Sequence, residues 1–158
     1  MSDAYMSMLI ESQERKLELL EKAIELDKEQ ETIITGEQPD MGALDANISA
    51  KGALIDELDR LDDGFESLYA KVREDFINNK DSHREEIHTL QELIKKITEK
   101  IAEVEALEAR SKINFENFMK HRRNSLKDNK SAAKVANTYS VNMRKMNKID
   151  AMFVDNKK

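Results

Sequence analysis

Cysteine and tryptophan are absent from this 158-residue chain, and it holds one proline and four glycines. Without cysteine there is no disulfide, no thiolate metal ligand and no cysteine nucleophile. Glycine and proline are the residues with which sheets and catalytic loops turn, so their scarcity argues for few turns and long helices. Aromatic residues make up only 5% of the chain, which leaves little for a large globular core. No apolar run approaches the ~18 residues that would cross a bilayer. The opening stretch MSDAYMSMLIESQERK places no basic segment ahead of an apolar one. It is therefore not read as a secretory signal, and the expected location is the cytoplasm.

What is present is charge. Asp, Glu, Lys and Arg make up 37% of the residues, in a background of Ala and Leu, the pattern of long helices and coiled coils. The net charge of −6 hides a division. Residues 1–119 carry 29 acidic against 15 basic side chains, a net −14, whereas residues 120–158 carry 3 against 11, a net +8. An acidic body with a basic tail is the main asymmetry.

Apolar periodicity divides the body into three helices, about 3–34, 41–77 and 83–119. In the first, Met6, Ile10, Leu17, Leu20, Ile24 and Ile34 recur in steps near three and four, widened by Leu19, Ala23, Leu26 and Ile33. Gly36, read as a left-handed cap, and Pro39 end it, and Asp40 is placed to cap the second. There Leu44, Ile48, Ile55, Leu58, Phe65, Tyr69, Val72 and Phe76 form the stripe, with Gly52 and Gly64 inside the helix. Asp81 or Ser82 is expected to cap the third, Glu85 completing a capping box with Ser82. Its core seam, Ile87, Leu90, Ile94, Ile97, Ile101 and Val104, repeats with spacing 3, 4, 3, 4, 3, a heptad along which two chains could also pair as a homodimer.

Beyond Lys120 the stretch HRRNSLKDNKSAAK is basic and poor in large apolar residues, read as a linker or a frayed extension of the third helix. Val135, Tyr139, Met143, Met146, Ile149 and Phe153 then follow in steps of three and four and share a face if 135–154 is helical. The fold class expected is all-α: an elongated bundle of three long antiparallel amphipathic helices with a flexible or helical basic C-terminal tail. Methionines on such a segment are adaptable contacts, and an amphipathic helix is a common way to meet another helix. A fourth helix packed on the body is the equal alternative.

No catalytic constellation is found. Phosphate-binding glycine loops and nucleophile elbows are missing. His83 and His88, five residues apart, fall on different sides of a helix, and with His121 they are read as solvated surface histidines rather than zinc ligands. No cofactor, no metal site and no enzymatic activity are expected. Arg122, Arg123, Lys127, Lys130 and Lys134 offer charge for a nucleic acid, but the acidic body opposes a polyanion and few aromatics are left for base stacking.

Three stretches carry a family resemblance. KGALIDELDRL (Lys51–Leu61) running into LDDGFESLYAKV (Leu61–Val72) resembles the second helix of the FlgN-type flagellar export chaperones. LIESQERKLELLEKAIELDKEQETII (Leu9–Ile34) is similar in pattern to their first helix, and MFVDNKK (Met152–Lys158) to their ending. The resemblance implies a cytoplasmic chaperone that binds the C-terminal helices of flagellar hook-filament junction (hook-associated) proteins. It would prevent their premature assembly and deliver them to the flagellar export apparatus. Carried onto this sequence, client binding falls on Val135, Tyr139, Val141, Met143, Met146, Ile149, Met152 and Phe153. Two alternatives stand beside it: a structural coiled-coil dimer without client, and a nucleic-acid accessory protein using the basic tail.

Overall fold

A computed structural model of the chain describes residues 2–123 and 129–156, with side chains placed for 4–122 and 131–146. Among the described residues four α-helices follow one another: α1 (Ser2–Thr35), α2 (Met41–Asn78), α3 (Arg84–Arg123) and α4 (Asn129–Asn156). The fold is all-helical, as expected, but the expected count of three long helices is corrected to four. The basic tail forms α4 because it finds an apolar surface to pack on, which an isolated helix of its length lacks.

The first loop is built as its residues dictate, with one exception. Asp40 accepts hydrogen bonds from the Gly42 and Ala43 amides at 2.9 and 3.2 Å, so it caps α2. Gly36 does not adopt the left-handed conformation expected of it, and among the described residues no backbone does. The Thr35 hydroxyl instead donates to the Glu31 carbonyl at 2.8 Å. Arg122, from the far end of α3, donates to the Pro39 carbonyl at 3.3 Å and lies over the Phe118 ring, pinning the loop to the bundle.

At the second loop the expected cap is corrected. The first amide bonds turn back through Asn79 and Lys80, and Ile87 donates to the His83 carbonyl, so α3 starts one residue after His83 rather than after Asp81 or Ser82. His83 is also not the surface residue expected: it is 5% exposed. Its ring meets the Phe76 ring edge-on at 5.6 Å, and its Nε2 is 3.5 Å from Asp75. The turn folds the imidazole back under the last turn of α2, where an aromatic wall shields it. His88 and His121 are exposed.

Cross-helix contacts set the directions. Arg15 pairs with Glu57 and Lys51 with Asp27, so α1 and α2 run antiparallel. Met6 and Leu9 pack with Leu90, and Glu31 accepts from Asn114, so α1 and α3 run parallel. Thr138 reaches Asp45 and Lys145 reaches Asp56, so α4 runs parallel to α2. Consecutive helices thus alternate in direction, while two of the neighbouring pairs are parallel. Around the bundle the order is α1, α2, α4, α3, and among the described residues neither α1 and α4 nor α2 and α3 approach closely backbone to backbone.

Three apolar clusters succeed one another along the rod. Met6, Leu9, Val72, Phe76 and Leu90 form one end. Leu20, Ile24, Leu54, Leu58, Ile97 and Val104 lie in the middle. Leu44, Ile48, Phe115, Met119, Val135 and Tyr139 form the other end, which therefore draws on α4. Each fully buried aliphatic contributes about 1.5–3 kcal/mol. The heptad seam is core at Leu90, Ile97 and Val104, and Ile87 and Ile101 flank the clusters. Ile94 is corrected: at 42% exposure it faces outward. The positions seven apart, Leu90, Ile97 and Val104, face the core, and the alternate set, Ile87, Ile94 and Ile101, lies at or beyond its edge.

Candidate functional site

The surface singled out by sequence is one face of α4. Ala132, Val135, Tyr139 and Asn142 are buried, in steps of three and four, and Met143 and Met146 lie half-buried beside them. Val135 is 1% exposed. The Tyr139 ring stacks on Phe115, ring centres 4.2 Å apart. Val141 points away from the body and is 38% exposed. Ile149, Met152 and Phe153 belong to α4, but their side chains lie outside the described residues. So the structure brings Val135, Tyr139, Met143 and Met146 together, against the protein's own α2 and α3, and sets Val141 apart.

The edge of α4 that meets α2 is polar. The Thr138 hydroxyl donates to Asp45 at 3.1 Å, and Lys134 approaches the same carboxylate at 3.6 Å. Asn142 donates its side-chain amide to the Ile48 carbonyl at 2.5 Å, and Lys145 pairs with Asp56 at 3.0 Å. Opposite Asn142 stands Gly52, where a Cβ would collide with the Asn142 amide. Glycine is what lets the two helices close here. Part of the charge division read from the sequence is therefore matched inside the molecule. Two residues of the nucleic-acid alternative, Arg122 and Lys134, are turned to the chain's own groups. The seam on which the homodimer alternative rested likewise packs largely within the chain.

Below α4, Leu20, Ile55, Leu58, Ile101, Val104 and Met146 wall a cavity of about 50 Å³, with Lys16, Lys51, Glu105 and Glu108 also on its lining. A cavity of that size has room for a few waters at roughly 10–15 Å³ each. Next to it lies a buried polar cluster. The Lys51 ammonium donates to Asp27 at 3.0 Å, to Gln30 at 2.5 Å and to Glu108 at 3.3 Å. Asn47 donates to the Leu26 carbonyl at 3.0 Å. Burial, then a hydrogen bond shared with Glu108, raises the Asp27 carboxyl to about 8, against the opposing pull of Lys51. Burial also pushes the Tyr139 phenol up, reinforced by the carboxylates of Glu108, Glu116 and Asp27. Lys16, bonded to Asp62 at 2.6 Å, is pulled down by burial. Among the described residues no group of three or more His, Asp or Glu side chains is arranged to hold a metal ion. No described helix is long and apolar enough to cross a membrane.

The polar cluster was missed in the sequence, yet it left a trace. The stripe Leu20, Ile24, Asp27, Gln30 continues the α1 face in regular steps, and polar residues at apolar positions are the mark of a buried network. Asn142 likewise interrupts the apolar face of α4. Gly52 carried no sign of its partner. No protein-family model, no curated protein and no solved structure matches the chain.

Proposed function

We propose that this protein is a cytoplasmic export chaperone. Its clients are the helical ends of flagellar hook-filament junction proteins, which it keeps from assembling early and hands to the flagellar export apparatus. The observation that carries the reading is the resemblance of Lys51–Val72 and Met152–Lys158 to the FlgN-type chaperones. An all-helical bundle whose last helix is amphipathic supports it, because such a helix is suited to pair with a client helix that bears an apolar stripe. No catalytic step, cofactor or metal enters the proposal.

Contact with a client follows from exposure. With α4 docked, Val141 is the exposed apolar residue among the described side chains of the proposed set, while Val135 and Tyr139 meet a client only if α4 lifts off α2 and α3. Lifting the helix uncovers apolar surface on both sides, and that cost lowers net affinity and keeps the complex releasable. The test is co-purification of the full chain with hook-filament junction proteins, beside Val141→Glu. A stoichiometric complex, weakened about tenfold or more by V141E, is the expected result. A folded protein that captures none of these clients sinks the chaperone reading. Equal binding by V141E keeps the function and moves the contact elsewhere.

A further inference from the structure

The chemistry least explained by a helical scaffold lies at the centre of the bundle. Asp27 is 2% exposed and Gln30 fully buried, on the inner face of α1. Lys51 of α2 places its ammonium among Asp27, Gln30 and Glu108, so its three N–H groups meet three acceptors. α3 brings Glu108, and Glu105 lines the adjoining cavity with it. α4 brings Tyr139, whose buried hydroxyl has no hydrogen-bond partner and which feels the charges of Glu108 and Asp27. Each helix thus contributes at least one ionisable side chain to the crossing.

The balance of charge does not close. One cation faces two carboxylates. The Asp27 side chain has no exposure, whereas that of Glu108 keeps 18%. The second oxygen of Asp27, Oδ2, has no donor. An ionised carboxylate with one bare oxygen in such a place is far costlier than a protonated one. The proton therefore belongs on the carboxylate pair, with Asp27 its more enclosed member.

We propose that Asp27, Lys51 and Glu108 form a proton-linked joint between α1, α2 and α3, closed by one proton shared between the two carboxylates and weakened when that proton leaves. Tyr139 faces the same carboxylates, so loss of the proton adds negative charge beneath α4 as well. The joint acts whatever the protein binds.

The sign follows from proton counting. In the unfolded chain Asp27 releases its proton near 3.8, and in the folded one near 8. Between these values the folded state holds more protons, so stability falls as pH rises, and the loss is complete above about 8. The experiment is urea unfolding of the full chain from about pH 5 to about pH 9, wild type beside Asp27→Asn, with the Asp27 carboxyl carbon of the wild type titrated by NMR. The midpoint of D27N is expected to rise relative to that of the wild type up to about pH 8, and the difference between them to stay constant beyond. The carboxyl signal is expected to inflect near 8, and in Glu108→Gln to inflect at least about one pH unit lower. A D27N difference that is the same at every pH, or an Asp27 inflection below about 5, overturns the proposal. An inflection unmoved in E108Q overturns the sharing between helices. If D27N does not fold, the wild-type titration decides.

Discussion

Gly52 and Gly64 lie twelve residues apart on one helix and are expected to answer alanine with opposite signs. At Gly52 the new methyl drives into the Asn142 amide, which is held by its bond to the Ile48 carbonyl. Losing that buried bond costs about 1–3 kcal/mol and outweighs the ~1 kcal/mol that alanine gains in helix propensity. At Gly64 nothing lies within 4 Å, so alanine is expected to stabilise by about 0.5–1 kcal/mol. Urea midpoints of G52A and G64A test the pair, and a gain at Gly52 would remove the close approach of α2 and α4 from the account. The heptad seam makes a second contrast. Ile97→Ala, at a site 3% exposed, is expected to cost about 2–5 kcal/mol. Ile94→Ala, at a site 42% exposed, is expected to cost under about 0.5 kcal/mol in the same unfolding experiment.

At the scale of the element, α4 is the helix whose loss is most informative. It shares the cluster that holds Leu44, Ile48, Phe115 and Met119. A chain ending at Asn129 is expected to expose these residues, to bind a hydrophobic dye that the full chain excludes, and to melt several degrees lower. An unchanged melting temperature with no dye binding would mean that α4 is not part of the core. The ion pairs along its edge matter less. Lys134 is 76% exposed, and surface pairs of this kind contribute about 0–1 kcal/mol. The docking of α4 is thus expected to hinge on Val135, Tyr139 and the Gly52–Asn142 approach.

At the scale of the whole molecule, α3 alone spans about 60 Å, and the apolar clusters follow one another along that length. The three clusters are separate in kind as well as place. The end with Phe76 and His83 is aromatic, the middle adjoins the Asp27–Lys51–Glu108 joint, and the far end depends on α4. A pH rise through about 8 is expected to be felt at the middle and, through Tyr139, at the far end. In the chaperone reading, the middle and the far end are the clusters that lose contacts when α4 lifts.

Local patterns were enough to determine α1 and α2 and most of the length of α3. The break at 36–40 came from Gly36 and Pro39, the cap of α2 from Asp40, and the inner faces from steps of three and four, because each depends on residues within a turn or two of one another. The same patterns carried most of the end clusters, including Leu44, Ile48, Val72 and Phe76. Tertiary structure alone decided the rest. Amphipathicity says that the face of Val135 and Tyr139 must be covered, but not that α2 and α3 of the same chain cover it, nor that α4 lies parallel to α2. Asp27, Lys51 and Glu108 are separated by dozens of residues, and their burial comes from three helices meeting at one level. That meeting is a matter of register between elements, which no periodicity within one helix encodes. The shared proton follows from it, since one lysine meets two carboxylates only after the bundle has closed.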